Sequence, residues 1–344
     1  MGLAILLATM ALDWKKHRIV VTGAAGFIGS YLLRELLRRG AVPGQILLVD
    51  DWKAFTRRRA FRDLPMADLR IVAPQNFLAQ FETLAPGLVF HIGACSNTEE
   101  NREGFMRASN TDYTKKLWSL CAEHRAPLLY ASSAGTYGRG DLGFSDDDTT
   151  TRRLAPLSLY ARSKQDIDLF VLTAAAAGQQ PPFWAGFKFF NVYGPGEEHK
   201  LRQASMALHL AKQLRESGKM RLYKSFDPKF TDGGQERDFV FVADVAAVLL
   251  DFATGERLSG IYNVGTGRAR SFNDLAKAVA NAVGRPADIE YFEMPEALRA
   301  QFQNWTEADL TRLRAAGCRH EFLSLEDGVQ RYFREWPFEE EPQK

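Results

Sequence analysis

Between a short β-branched run, Arg18 to Thr22, and an apolar-periodic stretch starting at Phe27, the chain reads Gly23-Ala24-Ala25-Gly26-Phe27-Ile28-Gly29. Glycines at this spacing constrain the fold more than any other feature. The first permits a tight turn, the second lets the backbone approach a pyrophosphate, and the last lets helix and strand pack closely. A pyrophosphate then rests on the helix N-terminus, where unpaired N–H groups and the helix dipole favour negative charge. Glycines alone could mark an ordinary turn. Here they follow a strand and open a helix, and an acid, Asp50, ends the next strand 21 residues beyond Gly29, which favours a dinucleotide cradle.

The rest of the chain keeps the same rhythm. Helical periodicity runs from Phe27 to Arg39 and stops at Gly40, and continuous apolar strands are predicted at Ile46–Val49, Leu88–Ile92, Leu128–Ala131 and Trp184–Phe190. Helices are predicted around Asp112–His124 and Pro156–Ala177. Strands apolar on both faces that alternate with helices imply an α/β fold: a doubly wound parallel sheet of Rossmann type. At 344 residues the chain exceeds the ~250–300 residues of a single core, so a smaller C-terminal α/β substrate lobe is expected. Residues 18–190 are assigned to the dinucleotide domain and 191–237 with 266–338 to the lobe. The strand-like segments Asp238–Val242 and Ile261–Val264 are expected to return to the edge of the main sheet. From Ser271 onward two helices and a strand are expected, then an acidic, solvated tail at Glu339-Glu340-Glu341. The segment 1–17 reads as an extension. Its apolar part, Leu3 to Leu12, is about half the ~20 residues that span a bilayer, and a cleaved signal is the second choice because its basic residues follow the apolar run.

Composition excludes several classes. Lys and Arg number 44 against 42 Asp and Glu, a net charge of +2, so no nucleic-acid or membrane partner is implied. Cys95, Cys121 and Cys318 lack CxxC spacing and a histidine cluster, which argues against a disulfide framework or metal site and fits a reducing cytoplasm. His91 reads as a satisfied core histidine, and His17, His124 and His320 as exposed. No P-loop or Cys/His nucleophile pattern appears.

Tyr160 and Lys164 stand in Tyr160-Ala161-Arg162-Ser163-Lys164. Four residues apart on a helix they share one face, so the ammonium is expected to lower the phenol pKa from ~10. At the end of the strand before them stands Ala131-Ser132-Ser133-Ala134-Gly135, where ligands bind in doubly wound sheets. Asp50 and Asp51 suit a ribose diol and thus NAD, whereas Arg57, Arg58 and Arg59 suit a 2′-phosphate and thus NADP. Residue chemistry leaves that choice open.

Together these pieces resemble the extended short-chain dehydrogenase/reductase family. Further words narrow the resemblance to its branch that epimerises ADP-heptose at C6: His91-Ile92-Gly93-Ala94-Cys95-Ser96, Phe190-Asn191-Val192-Tyr193-Gly194-Pro195 running on to Glu198-His199-Lys200, Arg237-Asp238-Phe239-Val240, Asn263-Val264-Gly265-Thr266-Gly267-Arg268, and Thr306-Glu307-Ala308-Asp309-Leu310 with Leu313-Arg314-Ala315-Ala316-Gly317. The likeness runs from about Arg18 to the last helix. It implies two acid/base residues, Tyr160 and Lys200, with Lys164 holding the nicotinamide ribose and Ser133 as the active-site serine. It implies bound NADP, with NAD second, held by Gly23, Gly26, Phe27, Ile28, Gly29, Asp50, Asp51, Arg57 (a lysine in the family), the run Ile92, Gly93, Ala94, Cys95 and Ser96, Ser109 or Asn110, Lys164, and Val192. The sugar nucleotide would meet Asn191, Lys200, Arg202, His209, Tyr223, Lys224, Arg237 and Phe302, with Lys224 and Arg237 facing a diphosphate. Members of the family form homo-oligomers, often pentamers. Ile92, Arg202 and Phe302 depart from the family's glutamate, serine and tyrosine, and Phe226–Glu236 is longer, with an added turn at Asp232-Gly233-Gly234. Two rivals are weighed: another nucleotide-sugar enzyme of the family, such as a 4-epimerase, a 4,6-dehydratase or a reductase, and an inert dinucleotide-binding sensor. Glu198-His199-Lys200 speaks against the first, and the intact Tyr160 and Lys164 against the second.

Overall fold

The structure, a computed structural model, describes residues 16–299 and 302–338. The apolar run Leu3–Leu12 and the acidic Glu339–Glu341 lie outside the described residues.

Thirteen strands are described: β1 Ile19–Thr22, β2 Ile46–Val49, β3 Arg70–Val72, β4 Leu88–His91, β5 Leu128–Ser133, β6 Trp184–Phe189, β7 Asn191–Tyr193, β8 Met220–Tyr223, β9 Glu236–Arg237, β10 Phe239–Phe241, β11 Gly260–Val264, β12 Arg270–Ser271 and β13 Ile289–Phe292. Seven of them form one sheet in the order β11-β6-β5-β4-β1-β2-β3, parallel throughout. The sheet is apolar on both faces. Ile19 and Val21 pack into one core and Val20 into the other, as the period of two requires. Each fully buried valine or isoleucine side chain contributes about 1.5–3 kcal/mol, so this strand has no register in which one face could meet water.

Chain order runs outward from β1 through β2 to β3, then jumps back to β4 on the other side of β1. The gap between the carboxyl ends of β1 and β4 is therefore the switch point at which doubly wound sheets bind ligands. Helix α1, Phe27–Arg38, starts there, and Gly40 ends its C-terminal turn at φ 84°.

Two expectations are corrected. The segment Asp238–Val242 does not return to the main sheet: β10 pairs in parallel with β7 in a separate two-stranded sheet. Only Gly260–Val264 joins, beyond β6. The chain leaves the sheet at Phe190, and Asn191 N–H then bonds the Asp238 carbonyl at 3.0 Å, which commits the new strand to a different partner. After Ser271 the described residues form one strand, β13, but four helices: Phe272–Ala282, Glu296–Arg299, Thr311–Ala315 and Leu325–Glu335. The edge strand β3 was not anticipated, because three half-exposed residues carry no apolar run. The added turn is present, with Gly233 at φ 64° and Gly234 N–H on the Thr231 carbonyl at 2.8 Å. Among the described residues no helix is long and apolar enough to cross a membrane.

Candidate active site

A cleft of about 730 Å³ opens over the switch point. Its floor is glycine because nothing larger fits. A Cβ on Gly23 (φ 64°) would stand 2.5 Å from Gly93 Cα, and one on Gly29 would stand 2.1 Å from the Gly23 carbonyl oxygen. Gly26 caps α1 without a side chain, and its first turn carries no acid. The free N–H groups and positive dipole end are left for an anion in the cleft.

Below the glycines, His91 is buried and bridges Thr22 Oγ1 (2.7 Å) and Thr114 Oγ1 (2.8 Å). Thr114 spends its own proton on the Asn110 carbonyl. It therefore accepts from His91 Nε2–H, and Nδ1 accepts from Thr22. Burial holds the imidazole neutral, its pKa pushed down to about 3, with Lys164 adding to the effect. The core reading of His91 agrees with this. His320 is not freely exposed as expected: it is half-buried and pairs with buried Asp244 at 2.9 Å.

The helix Leu159–Ala176 presents Tyr160 and Lys164 to the cleft, and the end of β5 presents Ser133. Burial raises the Tyr160 phenol, and the hydrogen-bonding influence of the neighbouring Ser133 hydroxyl pulls it back down. The expected lowering by Lys164 is absent. Its Nζ lies 6.0 Å from the Tyr160 ring centre and donates to the Ala131 carbonyl at 2.7 Å. Burial brings the ammonium itself down to about 8, opposed by Asp168.

Lys200 enters from the segment Glu198–Gln203, its Nζ 5.5 Å from the Phe27 ring centre. Burial lowers its pKa and Glu197 opposes the shift. The segment is held by Glu197, a buried carboxylate that accepts from Gly194 N–H (3.1 Å), Ser205 N–H (2.5 Å) and Ser205 Oγ–H (2.7 Å). Next to Lys200, Leu201 takes a left-handed φ of 49°, a conformation that costs a non-glycine residue about 1–3 kcal/mol.

The remaining expected residues divide. Gly23, Gly26, Phe27, Ile28, Gly29, Asp50, Ile92, Gly93, Ala94, Cys95, Ser96 and Val192 line the cleft. Of the pair Ser109 and Asn110, Ser109 lines it. Asn110 sits behind, tying the backbone of Cys95 (2.8 and 3.0 Å) to Ser163 Oγ (2.9 Å). Asp51 turns away to cap the helix Trp52–Arg57. Arg57 is exposed outside the cleft, while Arg58 lines it. Among the described residues Arg58 Nη1 is buried without a hydrogen-bond partner, and burial lowers its pKa against the pull of Asp50. The family resemblance points to Arg57, and residue chemistry alone gives no basis for choosing among the three arginines; the cleft takes Arg58 instead. The choice depends on Asp51 starting a six-residue helix that leaves Arg57 outward and Arg58 in extended backbone.

The expected sugar-nucleotide residues lie outside the lining of this cleft, Lys200 excepted. Asn191 is exposed on β7, and Arg202 points at Glu99, 3.7 Å away. His209 lies on the helix Met206–Ser217, Tyr223 faces Phe292, and Lys224 pairs with Glu293 at 3.0 Å. Arg237 is buried, its guanidinium 4.8 Å from the Phe302 ring centre and 5.5 Å from Phe272. Burial lowers it to about 9, with no counter-ion among the described residues. His199 and Gln203 also line the cleft and were not anticipated; His199 bonds the Gly196 carbonyl at 3.0 Å. No group of three or more potential metal ligands occurs among the described residues.

Known proteins are similar to this chain in sequence and in fold. The model of the NAD dependent epimerase/dehydratase family matches residues 19–265. The ADP-L-glycero-D-manno-heptose-6-epimerase of Nitratidesulfovibrio vulgaris is 42% identical over 323 residues, covering 92% of this chain and 97% of its own. A Pseudomonas aeruginosa protein of the same name is 42% identical over 334 residues, covering 92% and 98%. Among solved structures, the Helicobacter pylori ADP-L-glycero-D-manno-heptose-6-epimerase matches with a TM-score of 0.78 at 25% identity over 94% of this chain and 97% of that one. Thermus thermophilus UDP-glucose 4-epimerase in complex with NAD matches with a TM-score of 0.73 at 25% identity, over 92% and 99%.

Proposed function

Because the chain belongs to the NAD dependent epimerase/dehydratase family, we propose that it inverts C6″ of ADP-D-glycero-D-manno-heptose to give ADP-L-glycero-D-manno-heptose, a step toward the lipopolysaccharide core. One observation carries the reading: two proton-transfer groups on separate elements, Tyr160 and Lys200, share one cleft with the dinucleotide cradle. Inversion through a ketone needs a proton acceptor when the hydroxyl is oxidised and a donor when the carbonyl is reduced on the other face. The phenol and the amine fill those roles, and they exchange them in the reverse direction. Ser133 orients the hydroxyl and lowers the phenol pKa.

The nicotinamide dinucleotide, when bound, supplies the hydride acceptor and donor. Its pyrophosphate belongs at Gly23, Gly26 and the α1 N-terminus, and its nicotinamide ribose at Lys164. NADP is favoured over NAD. Asp50 already accepts from Ala25 N–H (3.0 Å) and Asp51 N–H (2.8 Å), whereas the buried Arg58 Nη1 has no partner among the described residues and suits a 2′-phosphate. Arg237, buried beside Phe302, suits the sugar nucleotide's diphosphate. Residues 18–190 with β11 form the cofactor domain and the remainder the substrate lobe. Free Cys95, Cys121 and Cys318 fit the cytoplasm, and a homo-oligomer is expected.

The test is interconversion of the C6 epimers of ADP-heptose by the purified protein, with the absorbance of retained cofactor read alongside. Inactivity on ADP-heptose together with turnover of UDP-galactose would move the assignment to a 4-epimerase.

A further inference from the structure

One layer beneath the cleft, Asp168 and Lys188 form an ion pair with both side chains 0% exposed, Oδ2 to Nζ 2.7 Å. Asp168 follows Tyr160 and Lys164 at four-residue steps on one helix, so all three share a face. Its carboxylate also accepts from Tyr130 Oη (3.0 Å) and Ser132 Oγ (2.7 Å) on β5. Lys188 stands on β6, in register with Ser132. It donates to Thr136 Oγ1 at 2.7 Å, and Thr136 in turn donates to the Ser133 carbonyl at 2.8 Å. Removing two charges from water is costly, and apolar chains of similar size often serve folding as well. The pair therefore needs a reason beyond stability, and its contacts supply one. They converge on Tyr130, Ser132 and the turn after Ser133, and between them lies Ala131, whose carbonyl holds Lys164.

We propose that the Asp168–Lys188 pair is a positioning device that locks the turn carrying Ser133, and the strand carbonyl that holds Lys164, to the helix carrying Tyr160. The inference rests on the epimerase reading for the roles of Tyr160 and Ser133. The groups facing the phenol are the Ser133 hydroxyl, the Cys95 thiol and, farther off, Lys164. If the turn drifts, Ser133 leaves the phenol, turnover falls, and the cofactor cradle of Gly23 and Gly26 is untouched.

The experiment compares the cofactor-loaded wild type with Asp168→Leu/Lys188→Met, with Ser133→Ala, and with the triple combination. The pair-less enzyme should lose about 100-fold in kcat, the loss that a misplacement near 1 Å brings, while KM stays within about threefold. Adding Ser133→Ala should cost less than it does alone, because the pair acts in part through Ser133 and the effects are not additive. The phenolate absorbance of Tyr160, read against Tyr160→Phe, should move to higher pH in both Ser133→Ala and the pair-less enzyme. Fully additive losses, or a pair-less enzyme with wild-type turnover, would overturn the proposal. Should the double variant not fold, Thr136→Val cuts the link from Lys188 to the turn and leaves the ion pair in place. It should show the same non-additivity with Ser133→Ala, and unchanged turnover with an unchanged phenol titration would sink the idea. The titration requires no sugar, so it reports on positioning even if the wild type proves inactive on ADP-heptose, a failure that would count against the function alone.

Discussion

The amine of Lys200 stands 5.5 Å from the centre of the Phe27 ring, the first residue of α1. The loop after β7 thus carries a basic group across to the helix proposed to cradle the dinucleotide. An aromatic face and a desolvated setting, rather than a carboxylate contact, surround that amine.

Lys200→Met should lower kcat by roughly 10²–10⁴-fold, the usual loss of a general acid/base, and leave cofactor absorbance intact. Normal epimerisation by this variant would remove Lys200 from the mechanism. Glu197→Gln removes the charge that opposes the lowering of the Lys200 pKa. The limb of the pH–rate profile that belongs to the amine should therefore move to lower pH.

Arg58→Ala should weaken NADP by about 10–100-fold, as expected for a lost hydrogen bond between charged groups, and change NAD little. Arg57→Ala should leave both within about twofold, as exposed substitutions do. Titration of the apoprotein with each cofactor decides between the two arginines, and equal effects would place the phosphate elsewhere.

His91 links acidity to stability. Its folded pKa, about 3, lies below the unfolded value of 6.5, so between these values the unfolded chain binds the extra proton. Stability from this group is fully present above pH 6.5 and is lost as pH falls toward 3, with a slope approaching about 1.4 kcal/mol per pH unit. Urea unfolding of His91→Gln should show a lower stability at neutral pH and a flatter dependence across that window.

Asp238 is buried and accepts from Thr266 N–H (2.6 Å), Thr266 Oγ–H (2.7 Å), Gly267 N–H (2.9 Å) and Ala308 N–H (3.0 Å). It fastens β10 to the loop after β11 and to the segment at Ala308. Asp238→Ala should destabilise by about 3 kcal/mol or more, since several buried donors lose a charged acceptor at once. A thermal midpoint within a degree of wild type would contradict this account.

Arg237→Met should raise KM for the sugar nucleotide at least about tenfold with a smaller change in kcat, the signature of binding made equally in ground and transition state. Unchanged KM would move the diphosphate away from Arg237 and Phe302.

Local rules sufficed for much of this molecule. The glycine spacing, the apolar runs of β1, β2, β4, β5 and β6, and the four-residue step from Tyr160 to Lys164 each depend on neighbours in the chain. So the doubly wound sheet was legible from residue order, and much of the cleft lining from that order together with the family resemblance. What stayed hidden depends on residues far apart in sequence. Pairing of β10 with β7, the inward turn of Arg58 rather than Arg57, the capture of Lys164 by the Ala131 carbonyl, and the burial of Lys188 against Asp168 all arise from packing between separate elements. Burial, not spacing, set the proton affinities of Tyr160, Lys164 and Lys200, because the cost of removing charge from water exists only once the surrounding walls have closed.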